Sequence, residues 1–144
     1  IIWGIAMAKV RDIMQKNVIT IESVKKAHDA AIILKEKEIS FLVVVKEGKP
    51  IGIVSERDIV RKIVADNNDA QTTQLEIIMS KNFKWVEPNA SIESAVQKML
   101  NNNIRRLVVL ENENLAGVIT QTDLTEFLRS KILINATVEN IETD

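Results

Sequence analysis

The chain repeats itself. With its second half laid 65 residues behind its first, Met14 falls on Met79, Lys16-Asn17 on Lys81-Asn82 and Glu22 on Glu87. Further on, Ala30 meets Ala95, Ile39 meets Ile104, and Leu42-Val43-Val44 meets Leu107-Val108-Val109. Gly52 then meets Gly117 and Asp58 meets Asp123. The register holds without a gap from Asp12–Ile59 to Ile77–Leu124, and many mismatches are conservative, as in Ile53-Val54-Ser55 against Val118-Ile119-Thr120. An aliphatic composition produces coincidences, but not a gapless alignment of glycines and aspartates. Whatever this sequence folds into, it folds into it twice. The period is too long for a solenoid unit, and two copies point to an internal pseudo-twofold.

Each copy reads alike. A short extended piece, Val18–Ile21 or Phe83–Val86, comes first. A helix follows, with apolar residues at Ala27, Ala30, Ala31 and Leu34, and at Ile92, Ala95, Val96, Met99 and Leu100. That spacing is one buried helix face. The continuous apolar runs Phe41–Val45 and Leu107–Leu110 suit buried strands. Polar turns at Lys46–Pro50 and Glu111–Asn114 lead to second strands, Ile51–Ser55 and Leu115–Thr120. A closing helix then carries Ile59, Ile63 and Val64, or Leu124, Phe127 and Leu128. The expected fold class is α+β, with two tandem β-α-β-β-α repeats. The boundaries read as an N-terminal extension over 1–9, repeats over 10–64 and 75–131, and a polar linker over 65–74. Ile132–Ile134 extends the last helix, and residues 132–144 read as a tail that is loose from Asn135.

Composition narrows the chemistry. Of 144 residues, 19 are Lys or Arg and 20 are Asp or Glu, a net charge of −1 that gives no broad grip on nucleic acid or anionic lipid. Cysteine is absent, which removes disulfides and thiolate sites, and a single histidine, His28, argues against histidine-centred catalysis or metal binding. His28 falls in the first turn of a helix and reads as exposed. Ile1–Ala8 is apolar but far shorter than a membrane span, with no basic region before it. Met7 is a candidate natural start, and cytoplasm is the expected location. No Walker, Rossmann, HExxH or GxSxG pattern occurs.

The sharpest pattern lies where each second strand meets its closing helix: Gly52-Ile53-Val54-Ser55-Glu56-Arg57-Asp58 and Gly117-Val118-Ile119-Thr120-Gln121-Thr122-Asp123. A hydroxyl followed three residues later by a carboxylate is a capping box. Two features favour a ligand instead. Glycine inside a buried strand implies that something approaches the backbone closely. Asp also stands where the longer Glu or Gln reaches back more comfortably. A carboxylate beside a helix N-terminus can accept the two hydroxyls of a ribose, while the terminus attracts phosphate.

Paired repeats of this order, each with G-h-h-[ST]-x-x-D, resemble cystathionine β-synthase (CBS) domains arranged as a Bateman module. The likeness runs from about Val10 to Lys131 and includes the openings Val10-Arg11-Asp12-Ile13-Met14 and Leu75-Glu76-Ile77-Ile78-Met79. The resemblance implies a stand-alone regulatory module, not an enzyme, that binds adenine nucleotides in clefts between its repeats. The ribose contacts map onto Ser55 and Asp58 for one cleft, and onto Thr120 and Asp123 for the other. Base contacts map onto Val18, Ile19, Ile39 and Ser40 opposite Asp123, and onto Phe83, Lys84 and Ile104, with Trp85 beside them, opposite Asp58. Phosphate contacts map onto Arg105 and Arg106, assisted by Arg57 and Thr122. No metal site and no cofactor are implied. The ligand would be AMP, ADP, ATP or another adenosine compound such as S-adenosylmethionine.

Ser40 and Phe41 stand where the second copy has Arg105 and Arg106, so the Asp123 cleft is expected to be the better nucleotide site. Met14 and Met79 read as core contacts. The family habit of pairing through helices implies a homodimer, with Ile59, Ile63, Leu124, Phe127 and Leu128 as candidates, some of which must serve the internal core instead, and an unidentified regulated protein as partner. Neither nucleic acid nor membrane is expected. The alternative is a ligand-free dimerisation or interaction module, and a small nucleotide hydrolase ranks last for want of a carboxylate cluster.

Overall fold

A computed structural model describes residues 7–143. Residues 1–6, most of the expected N-terminal extension, and Asp144 at the tail lie outside the described residues. The chain runs through helix α1 (Val10–Ile13), strand β1 (Thr20–Glu22), α2 (Ala27–Lys37), β2 (Phe41–Lys46) and β3 (Lys49–Ser55). The short α3 (Glu56–Asp58) continues as a π-helical stretch, Ile59–Val64. The second copy follows as α4 (Leu75–Ile78), β4 (Trp85–Val86), α5 (Ile92–Asn102), β5 (Arg106–Glu111), β6 (Asn114–Thr120) and α6 (Gln121–Thr143). The fold is α+β, with two three-stranded sheets of order β1-β2-β3 and β4-β5-β6. In each the first pair is parallel and the second antiparallel.

The central strands are apolar because they are covered on both faces. Leu42, Val43 and Val44 in β2, and Leu107, Val108 and Val109 in β5, have no accessible surface. Each such side chain contributes roughly 1.5–3 kcal/mol on burial. Ala27, Ala30 and Leu34 of α2 pack on the first sheet, and Ile92, Ala95 and Met99 of α5 on the second. Leu100, expected on that face, is 72% exposed. At about 100° per residue it sits some 80° round from Ile92, off the stripe.

The hairpins are tighter than the sequence suggests. Lys46 pairs with Lys49 and Glu111 with Asn114, so only Glu47-Gly48 and Asn112-Glu113 turn. Both residues of each turn have positive φ (52° and 79°, 51° and 68°), the mirror-image geometry that matches strand twist. One extra residue, Ile51 or Ala116, then bulges each second strand. Pro50 is tolerated because β3 is an edge strand. The opening strands start two residues later than expected, at Thr20 and Trp85.

Two further expectations change. The tail is not loose from Asn135: α6 continues to Thr143, since no Gly or Pro interrupts it after Gln121. The polar linker also does more than span. Its Ala70 and Thr73 carbonyls accept the His28 and Ala27 backbone N–H groups (2.9 Å each), satisfying donors that the start of α2 leaves free.

The compact units are offset from the sequence repeats. One unit is Asn17–Phe83; the other joins Lys84 onward to the opening residues up to Lys16. Val10 of α1 is fully buried among Val86, Ile92, Leu107 and Ile119, in the core of the second sheet. Leu75 and Ile78 of α4 are buried with Leu42, Val44 and Val54 of the first. Each sheet is therefore closed by the opening helix of the other repeat. No helix among the described residues is long and apolar enough to cross a membrane.

Candidate functional site

Both strand-to-helix turns close as reciprocal capping boxes. In the first unit, the Asp58 backbone N–H donates to Ser55 Oγ (3.2 Å), while Asp58 Oδ2 accepts from Ser55 N (2.9 Å) and Ser55 Oγ (3.0 Å). In the second, Asp123 N donates to Thr120 Oγ1 (3.1 Å) and Thr120 N donates to Asp123 Oδ2 (2.9 Å). The expectation that Asp is awkward at this position is corrected. Asp12 and Asp29 reach back in the same way to the N–H groups of Lys9 and Lys26, at 2.8 and 2.9 Å. Asp three residues into a helix thus starts four of the six α-helices described, α1, α2, α3 and α6.

The glycines are also accounted for without a ligand. A Cβ on Gly117 would lie 2.6 Å from the Gln15 carbonyl oxygen and 3.0 Å from Met14 Sδ. A Cβ on Gly52 would lie 2.6 Å from Met79 Sδ and 3.1 Å from the Ser80 carbonyl oxygen. What approaches the strand is the stretch just after α1 or α4, held by short antiparallel bridges, Gln15 to Val118 and Ser80 to Ile53. Met79 is buried and Met14 packs against the core, as expected of them.

The two carboxylates then diverge. Lys62 Nζ lies 3.3 Å from Asp58 Oδ1 and donates to the Ile78 carbonyl at 2.8 Å, tying the turn to the end of α4. Asp123 instead accepts from the side-chain amide of Gln15, at 3.1 Å on Oδ1 and 3.2 Å on Oδ2. By the 65-residue offset, Lys62 corresponds to Phe127 and Gln15 to Ser80. In the sequence Gln15 carries no signal, and Lys62 reads only as one of the Arg61-Lys62 charges of a solvated helix face. The Lys62 pairing, four residues after Asp58, was readable as a helical neighbour. The Gln15 contact spans 108 residues and left no local signal.

Around Asp123 the structure gathers Thr120, Thr122, Arg105 and Arg106. Arg106 pairs in register with Thr120, and the Arg105 carbonyl accepts Gln121 N at 2.7 Å, which sets the start of β5 beside the start of α6. Arg105 and Thr122 are exposed and Arg106 is half-buried. Around Asp58 the same frame holds Ser40, whose carbonyl accepts Glu56 N at 2.9 Å, with Arg57 exposed alongside. Val18, Ile19, Ile39 and Ser40 belong to the unit of Asp58, as does Phe83; Lys84 and Ile104 belong to that of Asp123. Ile19, Ile39 and Ile104 pack in part against their own cores. Of the candidates for self-association, Ile63 and Leu124 are corrected: both are about 5% exposed and serve the internal cores. Ile59 and Phe127 also pack against those cores. The exposed apolar residues beside them are Val60 and Val64. Among the described residues, no three His, Cys, Asp or Glu side chains group to hold a metal ion.

The CBS domain family model matches twice, over residues 10–65 and 75–130. The chain belongs to the CBS domain family. Its CBS pair is 33% identical over 118 residues to the CBS domain-containing protein YhcV of Bacillus subtilis, covering 82% of this chain and 84% of that one. It superposes on the CBS domain pair of protein MJ0100, solved in complex with 5′-methylthioadenosine and S-adenosyl-L-methionine. That likeness has a TM-score of 0.77 and 29% identity, covering 86% of this chain and 98% of that one. A hexameric CBS-CP12 protein from bloom-forming cyanobacteria matches with a TM-score of 0.74 and 33% identity, over 82% of this chain and 66% of that one.

Proposed function

We propose that this CBS pair is a regulatory module that binds an adenosine compound, with the ribose on the carboxylate of a strand-to-helix turn, and passes its ligand state to a protein partner. The observation that carries the reading is the split use of Asp123. Its Oδ2 closes the backbone cap, while the remaining contact is to a neutral side-chain amide at an exposed position. Ribose hydroxyls can take that contact without opening the helix. Thr120 then lies beside the ribose, and Arg105, Arg106 and Thr122 lie toward the phosphates. The complex of MJ0100 with two adenosine compounds supports the ligand class.

Asp58 is the weaker site on this reading, because the oxygen it does not use in the cap is paired with an ammonium that is itself anchored on Ile78. The module works by binding rather than turnover, and it forms a homodimer through the exposed side of the first closing helix, at Val60 and Val64. Lysine at both positions should then turn a dimer into a monomer in sedimentation velocity.

A thermal-shift panel of AMP, ADP, ATP, S-adenosylmethionine, GTP and NAD tests the ligand class. A ligand at a hundred times its Kd adds about 2.7 kcal/mol, which for a chain of this size raises Tm by roughly 5–10 °C. A rise with adenosine compounds and none with GTP is the expected result. A flat panel would favour the ligand-free interaction module.

A further inference from the structure

Resting on the reading that Asp123 receives a ribose, we propose that Gln15 is a built-in competitor for that ligand and sets the affinity of the site. A carboxylate offers its lone pairs to any donor within reach, and the Gln15 –NH2 group presents two N–H bonds where a ribose would present two O–H bonds. Its Nε2 already spans both carboxylate oxygens, at 3.1 and 3.2 Å. A carboxylate offers about four lone-pair sites; Thr120 N takes one and the amide reaches two more, so two ribose hydroxyls find room only once the amide turns away.

The surroundings make that exchange local. The Gln15 backbone is fixed from both directions, its N–H donating to the Val118 carbonyl (2.8 Å) and its carbonyl accepting Val118 N (3.0 Å). That carbonyl also fills the space a side chain on Gly117 would need. The backbone therefore stays while the exposed side chain swings. The amide that leaves is exposed and regains hydrogen bonds with water, and the ribose hydroxyls replace it on the carboxylate, so the exchange has a modest net cost. Lys62 on Asp58 is the opposite case, a full charge with a second anchor on the Ile78 carbonyl. The two repeats thus carry the same turn with different occupants, one exchangeable and one fastened.

The test is isothermal titration of the full chain with AMP and with 5′-methylthioadenosine, comparing wild type with Gln15→Ala and Gln15→Met. The methionine variant keeps the stem and removes only the amide. Both variants should bind about three- to tenfold more tightly than wild type. In wild-type protein, the Gln15 side-chain amide signals in a nitrogen-proton correlation spectrum should shift as ligand is added, a readout that needs no variant to fold. Equal or weaker binding by variants that fold, or Gln15 amide signals that stay still while wild type binds, overturns the competitor role and leaves the ribose reading in place. Failure of wild type and both variants to bind either compound removes the ribose reading, and this one with it.

Discussion

At Gly117 an added methyl group would meet the Gln15 carbonyl oxygen at 2.6 Å, and that oxygen is backbone held in a bridge. At Gly52 the nearest atoms are the Sδ and Cγ of Met79, at 2.6 and 2.8 Å, which can turn about their own bonds. The same substitution in two copies of one motif should therefore cost different amounts. Gly117→Ala is expected to destabilise by about 2–3 kcal/mol and Gly52→Ala by about 1–2 kcal/mol, the range for overpacking a core contact. Urea unfolding of the two variants checks the order. Equal losses would mean that the Gln15 backbone yields as readily as a thioether.

The first closing element is built differently from the second. After Asp58 the backbone bonds run five residues back, as from Ala65 N to the Val60 carbonyl (2.9 Å), whereas α6 is α-helical from Gln121 to Thr143. Lys62 in that stretch joins Asp58 to the last residue of α4. Lys62→Met should lower stability by about 1 kcal/mol, discounted because the lysine is partly exposed, and should raise exchange at the amides of α4 first. The order of elements and the buried strands were legible because period and repeat are local properties. So were the residues of the turn, Ser55, Asp58, Thr120 and Asp123. The meaning of the turn was not. Gly52 and Gly117 looked like room for a ligand, yet the atoms that occupy that room come from Met79 and Gln15, far along the chain. Asp58 and Asp123 looked unusual until Asp12 and Asp29 were seen starting helices in the same way. A tail with neither Gly nor Pro was equally silent about where α6 ends.

The offset between sequence repeats and compact units shapes the behaviour of the whole chain. Residues 7–16 belong in space with the second repeat, although from Val10 onward they open the first. Deleting them removes the fully buried Val10 and both hydrogen bonds between Gln15 and Val118. Hydrogen exchange followed by mass spectrometry should then show lost protection in β5 and β6, on the order of the 2–5 kcal/mol that a large core truncation costs. Protection in β2 and β3 should change far less. Equal loss in both sheets, or loss confined to the first, would contradict the assignment of α1 to the second core.

That exchange of opening helices also bears on ancestry. A gene half this long would encode one sheet without the helix that covers it, and one helix without the sheet it covers. Two such products could complete each other only by trading arms. Duplication and fusion turn that loan between molecules into a property of a single chain, no longer dependent on concentration, and from then on each arm is free to diverge. Gln15 and Ser80 show that divergence: they hold equivalent places in the two arms, and only Gln15 is seen to put a side chain on the carboxylate.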